Sequence, residues 1–439
     1  MRRYVIIGSG PAGIAAAQAI RRQDSAASIV IFGDEKAGYY SRPGLAYCLT
    51  GEVNESQIFP LKDSELNELN VQLVHNRVTR LHPQGHRLEV STGAVVQYDR
   101  LLIATGSLSA REQVPGHHAQ GVVKLDNLED LHEFIEYASR ARTAVVVGGG
   151  ITALEIVEGL VVRGVRVHYL LRGERYWASI LDQVESSIIE QRLENEGVKL
   201  HFHTEISEIL QDHGKVTAVR TRDGATLKCD MVAVAIGVLP NKDLAEACGI
   251  QTKRGILADE YLRTSAADVF TAGDVAQVFD PLTKSSVQES LWGPAREQGE
   301  KAGLNMSGLK EPYHRRIPVN VTRLTNLTTS IIGSVGHGQE NDLISISRGE
   351  SEIWRQAPES SIAQTRQDVN RLRLLLGSKT LLGAVVMGDQ ELSLPLQHLI
   401  QNKIDISSMR GQLIQPGAPL SETLLGFWAK QQGKIRGAS

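Results

Sequence analysis

Glycines at positions 8, 10 and 13, and again at 148, 149 and 150, stand in two stretches that could each hold a pyrophosphate. The first reads Gly8-Ser9-Gly10-Pro11-Ala12-Gly13 and follows the apolar run Tyr4-Val5-Ile6-Ile7. The second reads Gly148-Gly149-Gly150-Ile151-Thr152-Ala153 and follows Ala144-Val145-Val146-Val147. Such spacing also arises in ordinary turns; a strand in front and a helix behind give it physical meaning. The glycines let backbone approach a phosphate, whose charge then meets the unpaired N–H groups and positive dipole end of the following helix. Two cradles predict two dinucleotides, and two dinucleotides facing one another imply electron transfer.

Each cradle needs a β-α-β unit to position it. After Gly13, Ile14 to Ile20 reads as a close-packed helix and Ser28 to Phe32 as the next strand. Asp34 and Glu35 come about twenty residues after Gly13, where a carboxylate can bond a ribose. Gly33 stands where that acid would usually end the strand, so the duty passes to Asp34 or Glu35; a solvated loop acid is the alternative. Tyr98 to Gly106 presents a buried strand closed by the small residues Ala104-Thr105-Gly106, which permit close backbone approach. Past the Pro115-Gly116 linker, Asp126 to Arg140 predicts an amphipathic helix feeding the second cradle.

The second unit predicts a strand over Val165 to Leu171, a helix through Ser186 to Glu196, and the stretch Ala235-Ile236-Gly237. Thr264 to Val275 reads as a strand ending in Gly273-Asp274. Trp292-Gly293-Pro294-Ala295 opens a helix with proline near its start, where a missing N–H costs nothing. From about Ile317 the pattern changes to strands such as Arg371 to Leu376 and Leu381 to Met387, then a helix over Leu394 to Asn402, an α+β arrangement. The fold class is therefore α/β, with two Rossmann-like dinucleotide-binding domains and a C-terminal α+β domain.

Composition excludes several function classes. The chain has 439 residues, 41% hydrophobic and 22% charged, with a net charge of −3, so it offers no basic face for nucleic acid. No apolar run is long enough to span a membrane, and Met1-Arg2-Arg3 leads straight into the first strand, so a cytoplasmic location is expected. Three cysteines, Cys48, Cys229 and Cys248, form no Cys-x-x-Cys, and His201, His203 and His213 lack acidic or thiol companions, so no metal site is expected.

Gly8-x-Gly10-x-x-Gly13, Ala104-Thr105-Gly106, Gly148-x-Gly150-x-x-Ala153-x-Glu155, Ala235-Ile236-Gly237 and Ala272-Gly273-Asp274 occur in an order that resembles the FAD-dependent pyridine nucleotide-disulfide oxidoreductases. The resemblance implies that the first cradle, Gly8 to Gly13 with Pro11 and Ala12, holds FAD, and that the second, with Ile151 and Thr152, holds NAD(P)H. It implies that Asp274 binds the ribityl or pyrophosphate side of FAD, that the helix opening near Trp292 and Ala295 aims at the flavin pyrimidine edge, and that Val78 and Gly237 line the cofactor. The expected domains are 1–112 and 245–312 for FAD, 113–244 for NAD(P), and 313–439 as a C-terminal interface domain, with a homodimer as one arrangement.

The stretch Tyr39 to Glu52 separates branches of this family. Its Tyr40-x-Arg42-Pro43-x-Leu45 is similar to rubredoxin and ferredoxin reductases and to the flavin module of NAD(P)H nitrite reductases, which makes Arg42 and Pro43 cofactor-binding candidates. Pro43 fills the register of the redox cysteine, and Cys48 falls about a turn away as a packed thiol. Tyr47 stands where the ferredoxin-reductase branch has a flavin-organising lysine. The resemblance places Glu155 near the nicotinamide, a plain helix-start acid being the alternative; Glu155 and Tyr47 are the catalytic candidates. Leu171 replaces the acid expected of an NAD site, and Arg172 with Arg175 could pair with a 2′-phosphate, which favours NADPH over NADH.

The C-terminal stretch Gly383 to Asp389 matches the family's interface domain, while the His-Glu pair of the disulfide reductases is missing. The tail around Leu424, Leu425, Phe427 and Trp428 is expected to pack against the body or a second subunit, contact with a membrane or a partner being the alternative. The function implied is transfer of a hydride from NAD(P)H to FAD and of electrons onward to an iron–sulfur protein, a quinone, a partner subunit or dioxygen. Two alternatives stand beside it: a redox-sensing or assembly subunit that holds FAD without turnover, and a thiol or disulfide reductase using Cys48.

Overall fold

The computed structural model describes residues 1–281, 283–335, 344–349, 370–415 and 419–436. They fall into two compact units: Met1–Ala141, Gln211–Val216 and Asp230–Arg315 form the first, and Arg142–Leu210, Thr217–Cys229 and Arg316–Ser439 the second.

In the first unit five parallel strands lie in the order Val269–Thr271, Arg100–Ile103, Arg3–Ile7, Ser28–Gly33, Gln72–His75. After their first residues, Arg100, Arg3 and Ser28, the central strands are apolar because both faces are covered, as all-parallel sheets require. One face carries Tyr4, Ile6, Ile29 and Ile31, the other Val5, Ile7, Leu101 and Ile103. The first-cradle helix, Pro11–Gln23, packs on the helix Trp292–Met306. A Cβ on Gly299 would lie 2.1 Å from the Ala12 carbonyl oxygen and one on Gly303 2.4 Å from that of Ala16, so the two helices meet backbone to backbone. The same unit holds a ribbon pairing Ser107–Ser109 with Val238–Pro240. The strand anticipated over Thr264 to Val275 is confined to Val269–Thr271, because Asp268 takes a left-handed conformation (φ 62°) in the turn before it.

In the second unit three parallel strands, Thr143–Val147, Arg166–Leu170 and Lys199–His201, carry the second-cradle helix, Ile151–Val162. The helix expected from Ser186 starts at Gln183, because Asp182 caps it and forms a reciprocal capping box with Glu185. The C-terminal segment is an antiparallel sheet in the order Val319–Leu324, Leu327–Gly333, Leu381–Met387, Arg371–Leu376, Ile344–Gly349, covered by the helices Ser393–Gln401, Ser407–Ile414 and Leu420–Arg436. Leu424 is buried there, with Leu425 and Phe427 packed on the same core, so this part of the tail serves its own unit.

Two arginines of that sheet reach the capping box. Arg373 donates to Glu185 Oε1 at 2.9 Å and to the carbonyls of Val335 and Ile180, and Arg371 donates to Asp182 Oδ2 at 2.7 Å. Glu185 is fully buried, so this network binds the C-terminal sheet to the nucleotide-type fold. Among the described residues no cluster of His, Cys, Asp and Glu could hold a metal ion, and no helix is long and apolar enough to cross a membrane.

Candidate cofactor site

Three glycines of the first cradle have three different duties. Gly8 is left-handed (φ 115°), and a Cβ there would fall 2.0 Å from the Ala104 carbonyl oxygen; its N–H donates to Phe32 at 2.8 Å. A Cβ on Gly13 would fall 2.0 Å from the Gly8 carbonyl oxygen, so this glycine lets helix and turn touch. Gly10 is unlike both: its backbone is ordinary (φ −76°), and a Cβ would meet nothing within 4 Å. It caps the Pro11–Gln23 helix with no side chain bonded to the helix start, so the first-turn N–H groups open onto the space that a side chain at 10 would fill. A pyrophosphate suits that space, with N–H donors and the helix dipole aimed at it.

Polar groups crowd the rim. Asp34 is exposed, whereas Glu35 is half-buried and accepts hydrogen bonds from Tyr40 Oη at 2.5 Å and from Arg42. Of the two carboxylates the sequence offers, Glu35 is the one tied to its surroundings. Arg42 also donates to the Asp126 carbonyl, and its charge opposes the burial that pushes the Asp274 carboxyl upward. Ser107 Oγ donates to Asp274 Oδ2 at 2.8 Å. A Cβ on left-handed Gly273 (φ 80°) would lie 3.1 Å from the Ala12 side chain and 3.8 Å from that of Ala295, so the Gly-Asp turn and the cradle are brought together. Trp292 stacks on Tyr39 with ring centroids 5.9 Å apart.

Ala104 follows its strand directly, Gly106 is left-handed (φ 68°), and Thr105 Oγ1 donates to the Asn241 carbonyl at 2.7 Å. Gly237 (φ 109°) accepts from the Ala110 N–H at the end of the ribbon. Val78 lies in the apolar core with Leu81 and Leu88, which is where its strand's inward face puts it. Pro43 is exposed and caps the short helix Gly44–Thr50, on which Tyr47 is half-buried. Cys48 on the same helix is buried, and burial, with the charge of Glu55, pushes its thiol up, away from the thiolate that disulfide chemistry needs.

The second cradle repeats the pattern. Gly148 is left-handed (φ 145°) and bonds Leu170, Gly150 caps the helix with open space where a Cβ would be, and Ala153 is fully buried against the fold. Ile151 is half-buried and Thr152 exposed. Glu155 is half-buried one turn along, and burial, aided by the charge of Glu158, pushes its carboxyl up to about 8. Arg172 is exposed. Arg175 is held by Glu174 and by the Ala178 carbonyl, with its Nε buried and unpartnered.

Several of these groups leave no mark in the sequence. Ser107, Asp126 and Tyr39 carry no motif of their own. Glu158 had a readable signal: it is three residues from Glu155 in a helix otherwise almost wholly apolar.

The family model described as pyridine nucleotide-disulphide oxidoreductase matches residues 2–299, the stretch holding both cradles and the Gly-Asp turn. The chain belongs to this family. A probable ferredoxin reductase of Castellaniella defragrans is 30% identical over 71% of this chain and 76% of its own length. The NAD(P)H nitrite reductase of Bacillus subtilis is 24% identical over 94% of this chain, which spans only 49% of that longer protein. Among solved structures, a ferredoxin reductase from Rhodopseudomonas palustris shares the fold at a TM-score of 0.82 and 21% identity, covering 92% of this chain and 96% of that one. The mixed α/β architecture and the family resemblance are both borne out.

Proposed function

We propose that the chain is an FAD-dependent NAD(P)H oxidoreductase that takes reducing equivalents from a reduced nicotinamide nucleotide and hands them to a second acceptor. The observation that carries this reading is the pair of helix-capping glycines, Gly10 and Gly150, each opening its helix N-terminus onto space where a Cβ would meet nothing within 4 Å. When bound, FAD supplies the chemistry that couples two-electron donors to one- or two-electron acceptors.

The chain's own residues bind and orient. The first-turn N–H groups after Gly10 and the Arg42 guanidinium meet the pyrophosphate charge, Glu35 and Asp274 accept from polyol hydroxyls, and the N-terminus at Trp292 and Ala295 favours negative charge on the ring that faces it. In the second unit Glu155 orients the nicotinamide, and Arg172 with Arg175 meets the adenosine end, a 2′-phosphate in NADPH. The buried Cys48 thiol supports a route without a disulfide.

A redox protein of the rubredoxin or ferredoxin kind is the acceptor class that the named relatives support, since a probable ferredoxin reductase and a rubredoxin-NAD(+) reductase of Pseudomonas putida are among them. A cytoplasmic setting suits a protein drawing on reduced nicotinamide. The test is an acceptor screen with the purified, flavin-loaded protein under NADH and NADPH, with rubredoxin, ferredoxin, a quinone and dioxygen compared. Turnover with none of them would favour a redox-sensing or assembly role.

A further inference from the structure

Successive peptide units around Asp274 are pinned, each by a different group. The pairing of the strand Val269–Thr271 ends at Thr271, and the Ala272 N–H makes a last bond to the Ile103 carbonyl at 3.2 Å. Beyond it the Gly273 N–H donates to Gln298 Oε1 at 2.9 Å, the Gly273 carbonyl accepts from the Ala276 N–H at 2.8 Å, and the Asp274 carbonyl accepts from Gln288 Nε2 at 2.9 Å. The Asp274 Cα therefore sits between pinned peptides, and its carboxylate leaves them in a set direction, toward Ser107 Oγ at 2.8 Å.

The two glutamines are themselves placed from outside the turn. Gln298 is 1% exposed and lies in the second turn of the Trp292–Met306 helix, next to Gly299, where that helix meets the first-cradle helix at Ala12. Gln288 ends the strand Ser285–Gln288, which pairs with Ala276–Asp280. The following residue, Glu289, is buried and accepts from Tyr313 Oη at 2.8 Å and from Arg315 Nε at 3.1 Å, while the Tyr313 N–H donates to the Glu260 carbonyl at 2.7 Å. A buried amide is costly unless it is bonded, and an apolar side chain at 298 would serve helix packing as well. What the amide adds is a fixed relation between the helix whose N-terminus is aimed at the flavin ring and the acid that meets the polyol.

We propose that Gln298 and, on the other side of the turn, Gln288 are positioning residues for the flavin: they fix the Gly273-Asp274 main chain so that the Asp274 carboxylate meets the polyol hydroxyls while the Trp292–Met306 helix addresses the ring. This rests on the reading of Asp274 as the polyol-binding acid. Both glutamines act through Asp274, so their effect on flavin binding disappears once that carboxylate is gone. A carboxylate displaced by a fraction of an ångström no longer meets its hydroxyl, which is why main-chain support at this turn reaches the cofactor.

The test is a double-variant cycle on the rate at which flavin leaves the loaded protein on dilution, read by the fluorescence of free FAD. Asp274→Ala and Gln298→Met should each raise that rate about ten-fold, the effect of losing one hydrogen bond to the cofactor. Their combination should release flavin about as fast as Asp274→Ala alone, well short of the roughly hundred-fold product of independent effects. Gln298→Glu, which keeps an oxygen for the Gly273 N–H, should release flavin more slowly than Gln298→Met. Gln288→Met repeats the cycle from the half-buried side of the turn and keeps the test decisive if Gln298→Met does not fold. Release unchanged by Asp274→Ala overturns the reading of that acid and the proposal with it. Glutamine variants that hold flavin as the wild type does, effects that multiply with that of Asp274→Ala, or a Gln298→Glu no better than Gln298→Met overturn the proposal alone.

Discussion

Gly10→Ala separates the fold of the first cradle from its ligand. The backbone at 10 is extended (φ −76°, ψ −172°), which alanine adopts freely, and the new methyl meets no protein atom within 4 Å. Alanine is the poorer helix cap by about 0.5–1 kcal/mol, and the loss of glycine's chain entropy returns about 0.4–1 kcal/mol, so the flavin-free protein should keep its stability. The methyl does, however, occupy the space next to the first-turn N–H groups. Displacing a pyrophosphate from two charge-assisted hydrogen bonds at about 1.5–3 kcal/mol each weakens FAD by roughly two to four orders of magnitude. Gly13→Ala is the contrast: its methyl falls 2.0 Å from the Gly8 carbonyl oxygen, so the fold itself loses about 1–3 kcal/mol. Flavin absorbance after dialysis and thermal melts with and without added FAD distinguish the two. Gly10→Ala should melt normally without flavin and lose the rise that FAD gives the wild type. Full flavin retention in that variant would refute the reasoning.

Asp274→Ala should weaken flavin retention without unfolding the protein, because the Asp274 carboxylate accepts from Ser107 Oγ through one oxygen, Oδ2, at 2.8 Å and can accept from a polyol through the other; dialysis and absorbance check it. Arg172→Glu should move the ratio of anaerobic flavin-reduction rates toward NADH by up to about 1 kcal/mol, roughly five-fold, the most an exposed charge contributes. Arg373→Met should cost about 3–5 kcal/mol, because it strips the 2.9 Å partner from the fully buried Glu185; a thermal melt reads it, and Arg373→Met with Glu185→Gln should recover part of the loss.

The cradles were legible because tight turns leave a covalent trace: only glycine fits where a Cβ would meet a carbonyl at 2.0 Å, as at Gly8 and Gly13. The capping box was equally local, yet the helix it starts was read from Ser186, since Asp182 and Glu185 look like surface charges until Arg371 and Arg373 are brought to them. These partners lie nearly two hundred residues away in sequence, as the Arg373–Glu185 separation of 188 shows, and no periodicity links them. The sequence leaves the choice between Asp34 and Glu35 open, since only the fold brings Tyr40 and Arg42 to Glu35 while Asp34 stays exposed. Val78 packs its side chain into the core, a placement that depends on Leu81 and Leu88 and that no motif marks.

The central claim is electron flow from a reduced nicotinamide to FAD without a thiol, and anaerobic titration of the flavin-loaded protein with NADPH and NADH, followed by absorbance, tests it most directly. The account predicts bleaching near one equivalent, no long-wavelength thiolate–flavin band, and the same course in Cys48→Ser, whose parent thiol is buried and pushed up by that burial. A flavin that stays oxidised, or a long-wavelength band that Cys48→Ser abolishes, would contradict it.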